Sequence, residues 1–385
     1  SRAPHVFDDL RLAGLAIAKF LFEADKMYDG LNDYFEFKDA VEKEKAVSYD
    51  EILMSEKEMK LGYKKMIIQT GKPECVFFSE RINDYLQHAN PTVTVETRPA
   101  IEVKKTIEEN FDVLLLFLNY YFFNSLRNRR ALHNGKKLCL SRDLEIGAPT
   151  VFLHAGRYFD SLLTNELFAK YLERADDGMV IADAQEFDPI DYELDGSMRL
   201  RDLTTSQMNN HFGGSTLAMT GDQYLVIWRQ NFTTQVSRDL LAPTGSGSSN
   251  AGDLTSDFKK TVIRTMEREL LEECSLDEKV MDTKIHTRLL GFYRWVNRGG
   301  LPQFVGISKV NLPLSDFEPN KKEVMKNHAN VRENMEYVHD IDDLPRAIAV
   351  IRQKGVLSVP LHMNLLFLEA YYEKRKKDLA AFWFF

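Results

Sequence analysis

Cysteine is scarce in this sequence. Cys75, Cys139 and Cys274 stand far apart and form neither a CxxC pair nor another metal-ligand spacing. So sparse and odd a count excludes a disulfide framework and suits a reducing compartment. Long apolar runs are also missing, because the most apolar stretch, residues 113–118 continuing into 120–123, is too short to span a bilayer. We therefore expect a cytoplasmic protein without a membrane segment.

An excess of positive charge is lacking as well. The formal net charge of the 385 residues is −8, which argues against a protein that mainly coats nucleic acid. The first four residues, Ser-Arg-Ala-Pro, do not have the pattern of a signal peptide, and no repeat of fixed period is present. With 44 % apolar and 28 % charged residues, the composition is that of a globular protein long enough for two domains.

Residues 1–200 carry mostly helical patterns and no signature of function. We predict helices within residues 7–70, 107–123 and 158–172, and short strands at 76–78 and 93–96. The basic segment 127–137 is interpreted as a solvated loop after a buried helix, with phosphate or nucleic-acid binding as the alternative. This part is therefore predicted to be a mainly helical N-terminal domain of unknown role.

The pattern changes near residue 200. Residues 216–219 and 224–228 predict two strands joined by a turn, and the Gly/Ser-rich stretch 243–252 predicts a flexible loop. A helix over 256–273, strands over 289–295 and 304–310, and a closing helix over 360–377 follow. This order predicts an α+β chain in which residues 201–385 form an α/β/α sandwich. The apolar end, residues 382–385, should pack onto the body or onto a partner subunit, so a homodimer is a candidate assembly.

The most informative run is Arg268-Glu269-Leu270-Leu271-Glu272-Glu273. On a helix, Glu269, Glu272 and Glu273 fall within about 100° of one another, since they stand at i, i+3 and i+4. Carboxylate oxygens are the donors that Mg²⁺ and Mn²⁺ prefer, and Arg268 can brace a carboxylate by a two-point contact. The alternative for such a run is a solvated helix face with an Arg–Glu pair.

The run and its surroundings resemble the Nudix box, and the resemblance extends over roughly residues 203–375. The positions that fit the box are Arg268, Glu269, Leu270, Glu272, Glu273 and Leu276. Two positions depart from it, because Ser275 replaces the Gly that ends the helix and Lys260 stands where an upstream Glu is expected. The loop before the helix is long, so that either Gly245 or Gly252 could take the place of the first Gly of the box.

The resemblance implies a Nudix-like sandwich with a mixed sheet and a metal-dependent hydrolase of nucleoside diphosphate derivatives. By the same resemblance, Glu269, Glu272 and Glu273 would hold Mg²⁺ or Mn²⁺, and Arg268 would orient a glutamate. The general base is left open. Backbone amides at Gly245 and Gly247 could approach phosphate, since glycine admits close contact with a ligand. Arg294 and Arg298 are further candidates for contact with the nucleotide substrate, although exposed arginines usually face water.

Two other functions stay open. The domain could bind a nucleotide without cleaving it, with the first half as a regulatory or interaction module, and Lys260 and Ser275 favour this alternative. A role in RNA processing is weaker, because the chain is acidic and lacks an aromatic–basic RNA motif. Aromatic residues at 292, 293, 295 and 304 could stack on a base, but we expect them in the core.

Overall fold

The computed structural model describes residues 43–46, 48–127, 134–168, 170–173, 177–184, 190–192, 197–230, 240–318 and 335–384. The helices are α1 Glu56–Lys60, α2 Glu80–His88, α3 Arg98–Glu109, α4 Phe111–Arg127, α5 Tyr158–Leu162, α6 Phe258–Glu273, α7 Met281–Lys284, α8 Leu344–Gln353 and α9 Val359–Phe384. None of the helices in these ranges combines the length and the apolar character needed to cross a lipid bilayer.

Strands occur in both halves of the chain. Those before residue 201 are β1 Lys43–Ala46, β2 Lys64–Gln69, β3 Pro73–Phe78, β4 Thr92–Val95, β5 Lys136–Leu140, β6 Thr150–Arg157, β7 Lys170–Glu173, β8 Val180–Asp183, β9 Ile190–Tyr192 and β10 Met198–Leu200. Those after it are β11 Gly213–Thr220, β12 Tyr224–Val226, β13 Trp228–Arg229, β14 Leu241–Ala242, β15 Gly245–Ser248, β16 Ile285–Trp295, β17 Leu301–Val310 and β18 Glu336–Tyr337.

The largest sheet is mixed and lies between two helical layers. Its strand order is β18-β12-β11-β17-β16-β3-β2, and β15 also pairs with β11. The β11–β17 pair is parallel, whereas the other pairs in this sheet are antiparallel. Successive β11 residues alternate between the faces: Leu217 and Met219 pack with residues of α8 and α9, and Ala218 packs with residues of α6. An α+β chain with a mixed sheet is therefore confirmed.

The first half of the chain contributes to this same sheet, because β3 pairs with β16 and places Phe77 opposite Arg294. The contact is reinforced by an ion pair between Glu58 and Arg294, whose Oε1 and Nη1 atoms lie 2.7 Å apart and whose side chains are 4 % and 2 % exposed. Trp295 also donates its indole N–H to Glu74, at 2.8 Å. Strands from before and after residue 200 therefore belong to one sheet. The division into two domains at that residue stays a prediction.

Within the described residues, the expectation of a mainly helical first half is wrong. Residues 64–69 form β2 rather than helix, and residues 1–42 lie outside the described part of the chain. The predicted helix over 158–172 ends at Leu162, and residues 170–173 form β7. In place of a continued helix, the Asn165 side chain makes hydrogen bonds to a distant residue. Its side-chain N–H donates to the side-chain oxygen of Asn210, and its side-chain oxygen accepts from the Asn210 backbone N–H. These contacts outweigh the local helical pattern.

Other sequence predictions have mixed outcomes. Strands predicted at 76–78, 93–96 and 216–219 are present, as are the helix before Cys274 and the closing helix. The strand predicted over 224–228 is instead two short strands, β12 and β13, in different sheets. The predicted helix over 107–123 is instead two helices that meet at Asn110, whose side-chain amide donates to the carbonyl of Thr106. Of the basic segment, residues 128–133 lie outside the described part.

The apolar C-terminal end packs onto the body, as one of the two alternatives expected. Trp383 is 3 % exposed and donates its indole N–H to the carbonyl of Ser308 at 3.3 Å. Phe385 lies outside the described residues. The homodimer stays a prediction.

Candidate functional site

Helix α6 carries the candidate site and has well-defined ends. The Asp257 side chain accepts from the backbone N–H of Lys260 at 2.8 Å, which caps the N-terminus. Lys260 itself is exposed. At the other end, Ser275 has a φ of 53° and the Leu276 N–H donates to the Leu271 carbonyl at 3.0 Å. This is the left-handed helix ending that glycine favours, so Ser275 adopts it although it carries a side chain.

All five N–H donors of Arg268 are engaged. Nε and Nη2 lie 3.0 Å and 3.1 Å from the two carboxylate oxygens of Asp253, and Nη2 also donates to the Ser248 carbonyl at 2.8 Å. Nη1 donates to Glu269 at 2.8 Å and to Glu272 at 3.2 Å. Because the guanidinium is planar and fixed at every position, it sets the orientation of both glutamates.

Asp253 was not predicted as a site residue, although it anchors Arg268. It is 4 % exposed, and its Oδ2 also accepts from the Thr265 hydroxyl at 2.9 Å and from the Asn250 N–H at 2.8 Å. Asn250 and Asp253 form a reciprocal capping box over one turn of 3₁₀ helix. The Asn-x-x-Asp spacing at the end of the Gly/Ser stretch was the signal that could have revealed this residue.

The Gly/Ser stretch forms strand β15 rather than the flexible loop that was predicted, because residues 245–248 pair with β11. The strand lies directly against α6. A Cβ on Gly247 would lie 2.1 Å from the Glu269 carboxyl carbon, and a Cβ on Gly245 would lie 2.6 Å from the Leu270 Cα. Glycine is required at Gly245, since a Cβ there would collide with the helix backbone, whereas a Cβ at Gly247 would displace the Glu269 carboxylate. The predicted amide–phosphate contact of Gly245 and Gly247 stays a prediction.

The three glutamates differ in environment. Burial raises the pKa of Glu269 to about 7, and the neighbouring Glu272 adds to this effect while Arg268 and Lys137 oppose it. Glu272 has a side chain that is 57 % exposed. Glu273 is 5 % exposed and accepts from the Ser246 backbone N–H at 3.2 Å. Glu269 and Glu272 therefore share one guanidinium, whereas Glu273 faces the backbone of β15.

The positions of the three glutamates decide whether they could hold a metal ion together. In the part of the chain that the structure covers, no three acidic, histidine or cysteine side chains are grouped so that they could hold an ion. The site in which Glu269, Glu272 and Glu273 surround one ion stays a prediction. Glu269 and Glu272 still supply the donor type that suits Mg²⁺, which is commonly held by one or two carboxylates together with substrate phosphates.

Lys137 of β5 joins the acidic cluster from the first half of the chain. Its Nζ donates to the Ser248 hydroxyl, so that Ser248 contacts Lys137 through its side chain and Arg268 through its carbonyl. Burial lowers the pKa of Lys137, and Glu269 exerts the strongest opposing attraction. The sequence predicted only a basic segment here, because the pairing that brings β5 to residue 248 is long-range.

Arg294 and Arg298 are not brought to this cluster. Arg294 is 1 % exposed, and besides Glu58 it donates to the Gly300 carbonyl at 3.1 Å. Arg298 pairs with Glu166, with Nε 2.7 Å from Oε1. The ion pairs of Arg294 with Glu58 and of Arg298 with Glu166 connect the second half of the chain to the first. The four aromatic residues considered for stacking are all buried, as expected: Phe292, Tyr293, Trp295 and Phe304.

Comparisons with known proteins give limited similarity. No family model matches the chain, and no curated protein matches it. Among solved structures, DR0079 from Deinococcus radiodurans matches with 14 % identity and a TM-score of 0.28, over 42 % of this chain and 83 % of that one. RenU, a Nudix hydrolase from M. smegmatis, matches with 12 % identity and a TM-score of 0.27, over 43 % and 88 %. The similarity to Nudix-like structures thus covers only part of the chain, at scores too low to assign the family.

Proposed function

We propose that this protein hydrolyses the diphosphate linkage of a nucleoside diphosphate derivative, of the ADP-ribose, NAD, dinucleotide or modified-nucleotide type. The observation that carries the proposal is the arrangement of Arg268, which is fixed by Asp253 and in turn holds Glu269 and Glu272. Such bracing is what a hydrolytic site needs, because the geometry of the acidic groups must be set before the substrate arrives.

Each residue has a role in this proposal. Glu269 and Glu272 would hold Mg²⁺ or Mn²⁺ together with the substrate phosphates, and Arg268 would keep both carboxylates oriented. Such an ion neutralises phosphate charge and lowers the pKa of a bound water. The polar backbone of β15 beside Glu269 would border the diphosphate. The general base stays open between one of the three glutamates and another carboxylate outside this run.

A second candidate is a module that binds such a nucleotide without cleaving it. It rests on Lys260, which stands where the resemblance expects an upstream glutamate, and on Ser275, which stands where it expects a glycine. The N-terminal half would then act as the regulatory or interaction part.

The test is a panel of nucleoside diphosphate derivatives incubated with Mg²⁺ or Mn²⁺, with products separated by chromatography. We expect metal-dependent turnover that falls by about 100-fold or more in Glu269→Gln and in Glu272→Gln. Glu278→Gln, an exposed acid beyond the helix, is the matched control and should keep full activity. Tight nucleotide binding without turnover would favour the binding module, and metal-independent hydrolysis unchanged in all variants would reject the site.

A further inference from the structure

Two consecutive serines at the end of β15 connect the acidic helix to the first half of the chain. The carbonyl of Ser248 accepts from Arg268 Nη2 at 2.8 Å, and its hydroxyl accepts from the Lys137 ammonium. The Ser249 hydroxyl donates to the Leu138 carbonyl at 2.7 Å and accepts from the Leu138 N–H at 3.2 Å. Two neighbouring residues of β5 therefore hold the two residues that lead from β15 toward the Arg268 anchor.

The Ser249 hydroxyl closes a ring of hydrogen bonds between three segments of the chain. The backbone N–H of Ser249 donates to the Phe212 carbonyl at 2.9 Å, and the Phe212 N–H donates to the Leu138 carbonyl at 3.2 Å. Ser249 and Phe212 are 0 % exposed and Leu138 is 3 % exposed. Without the hydroxyl, the buried Leu138 N–H would lose its partner, which costs free energy unless the segments move.

The Arg268 guanidinium depends on the segment that Ser249 fixes. One of its acceptors, the Ser248 carbonyl, directly precedes Ser249, and another, Asp253, follows four residues later. The turn between them is rigid, because Asn250 and Asp253 cap each other across it. A shift of the backbone at residue 249 would therefore reach the guanidinium through both acceptors.

We propose that Ser249 is a positioning residue, whose hydroxyl fixes the Arg268 guanidinium against strand β5 of the first half of the chain. Arg268 passes this position on, since it donates to both Glu269 and Glu272. A displacement of about 1 Å away from the reacting atoms can already lower a rate strongly. The effect on hydrolysis rests on the proposed function, whereas the effect on the Arg268 guanidinium does not.

The experiment compares Ser249→Ala with Ser79→Ala as a matched control. Ser79 is also 0 % exposed, and its hydroxyl donates to the Leu61 carbonyl at 2.7 Å and accepts from the Ile82 N–H at 3.4 Å. Both variants lose a buried hydroxyl that bonds two backbone groups, so that a general loss of stability is matched. Ser249→Cys keeps the volume but bonds weakly through sulfur, and it carries the test if the alanine variant does not fold.

Nuclear magnetic resonance of the arginine Nε–H groups reads the guanidinium directly, and the loss of one signal in Arg268→Lys identifies it. In both Ser249 variants, we expect this proton to exchange with water faster, on the order of ten-fold, because its bond to Asp253 opens more often. For nucleotide hydrolysis, kcat should fall by about ten-fold while KM changes little, since orientation is lost and substrate binding is not. Ser79→Ala should match the wild type in both measurements.

Unchanged exchange of the Arg268 proton in the Ser249 variants would overturn the proposal. An equal acceleration in Ser79→Ala would do the same, because it would show that any loss of stability loosens the guanidinium. A rise in KM with an unchanged kcat would also contradict a positioning role. If no nucleotide is hydrolysed but exchange accelerates in the Ser249 variants alone, the proposed function fails and the positioning of Arg268 by Ser249 stands.

Discussion

Arg268 and Asp253 form a two-point ion pair, in which both carboxylate oxygens of a buried aspartate accept from one edge of the guanidinium. The pair joins the helix that carries the glutamates to the turn that precedes it. The Asp253 side chain is almost fully buried, whereas the Arg268 side chain is about one-fifth exposed. The orientation of Glu269 and Glu272 therefore depends on the buried Asp253, which holds Arg268 in place.

Replacing Asp253 by asparagine should lower both activity and stability. Asparagine keeps the shape but leaves the guanidinium without its buried counter-ion, so we expect kcat/KM to fall by about 10- to 100-fold. The free energy of unfolding should fall by about 3 kcal/mol. Steady-state kinetics and urea unfolding measure the two effects. Asp282→Asn, at an exposed position on α7, is the control, and a result equal to that control would contradict the anchoring role.

A methyl group at position 247 should displace the Glu269 carboxylate. In Gly247→Ala the added carbon would collide with that carboxylate, whereas in Gly252→Ala the nearest atom would be 3.9 Å away. We expect Gly247→Ala to lose about 1–3 kcal/mol of unfolding free energy together with most of the activity. Gly252→Ala should behave as the wild type. Unfolding curves of both variants, recorded side by side, check this, and indistinguishable curves would show that the Glu269 side chain moves aside without a cost in stability.

Glycine at position 275 should stabilise the protein. Ser275 adopts a left-handed conformation that costs a residue with a side chain about 1 kcal/mol. Ser275→Gly should therefore raise the free energy of unfolding by roughly that amount, and the activity should not change. Ser275→Ala keeps the unfavourable conformation and provides the control. A gain of the same size in both variants would point away from backbone conformation as the cause.

His154 should make stability depend on pH. Burial lowers its pKa to about 4, while the unfolded chain takes up the proton near pH 6.5. Between these values the unfolded state binds more protons, so the contribution of His154 is complete above pH 6.5 and is lost as the pH falls toward 4. The free energy of unfolding should therefore fall by about 2 kcal/mol from pH 7 to pH 5 because of this residue.

The measurement is the free energy of unfolding of wild type and His154→Gln across that range. The free energy of unfolding should depend less steeply on pH in His154→Gln than in the wild type. His286→Gln, at an exposed position, is the control and should give the wild-type slope. Parallel curves for the wild type and His154→Gln would show that this imidazole titrates normally in the folded protein.

The part of the fold that follows local pattern could be predicted from the sequence. Helix α6 and the strand pair around residues 220–222 depend on neighbours in the chain, and the structure has them. The Arg268 contact to Glu272 was also expected, because the two residues stand one turn apart on the helix. The contact to the adjacent Glu269 was not.

What was missed depends on contacts between distant parts of the chain. The Gly/Ser stretch becomes a strand only because β11 offers it a partner. Lys137 reaches the acidic cluster through the placement of β5, and Asp253 acquires its role from a helix that starts after it. Neither composition nor periodicity contains these pairings, since they are decided by packing of the whole molecule.

The ion pair between Glu58 and Arg294 joins residues that are 236 positions apart. A truncated protein that started at residue 201 would lose Glu58 together with β3, so that Arg294 would lose both its counter-ion and the strand that pairs beside it. It would also expose the edge of β16 where β3 now pairs, and an open strand edge invites association between chains. Recombinant production of the second half by itself should therefore yield aggregates, and biochemical work on the acidic helix calls for a polypeptide that includes residues 48–200.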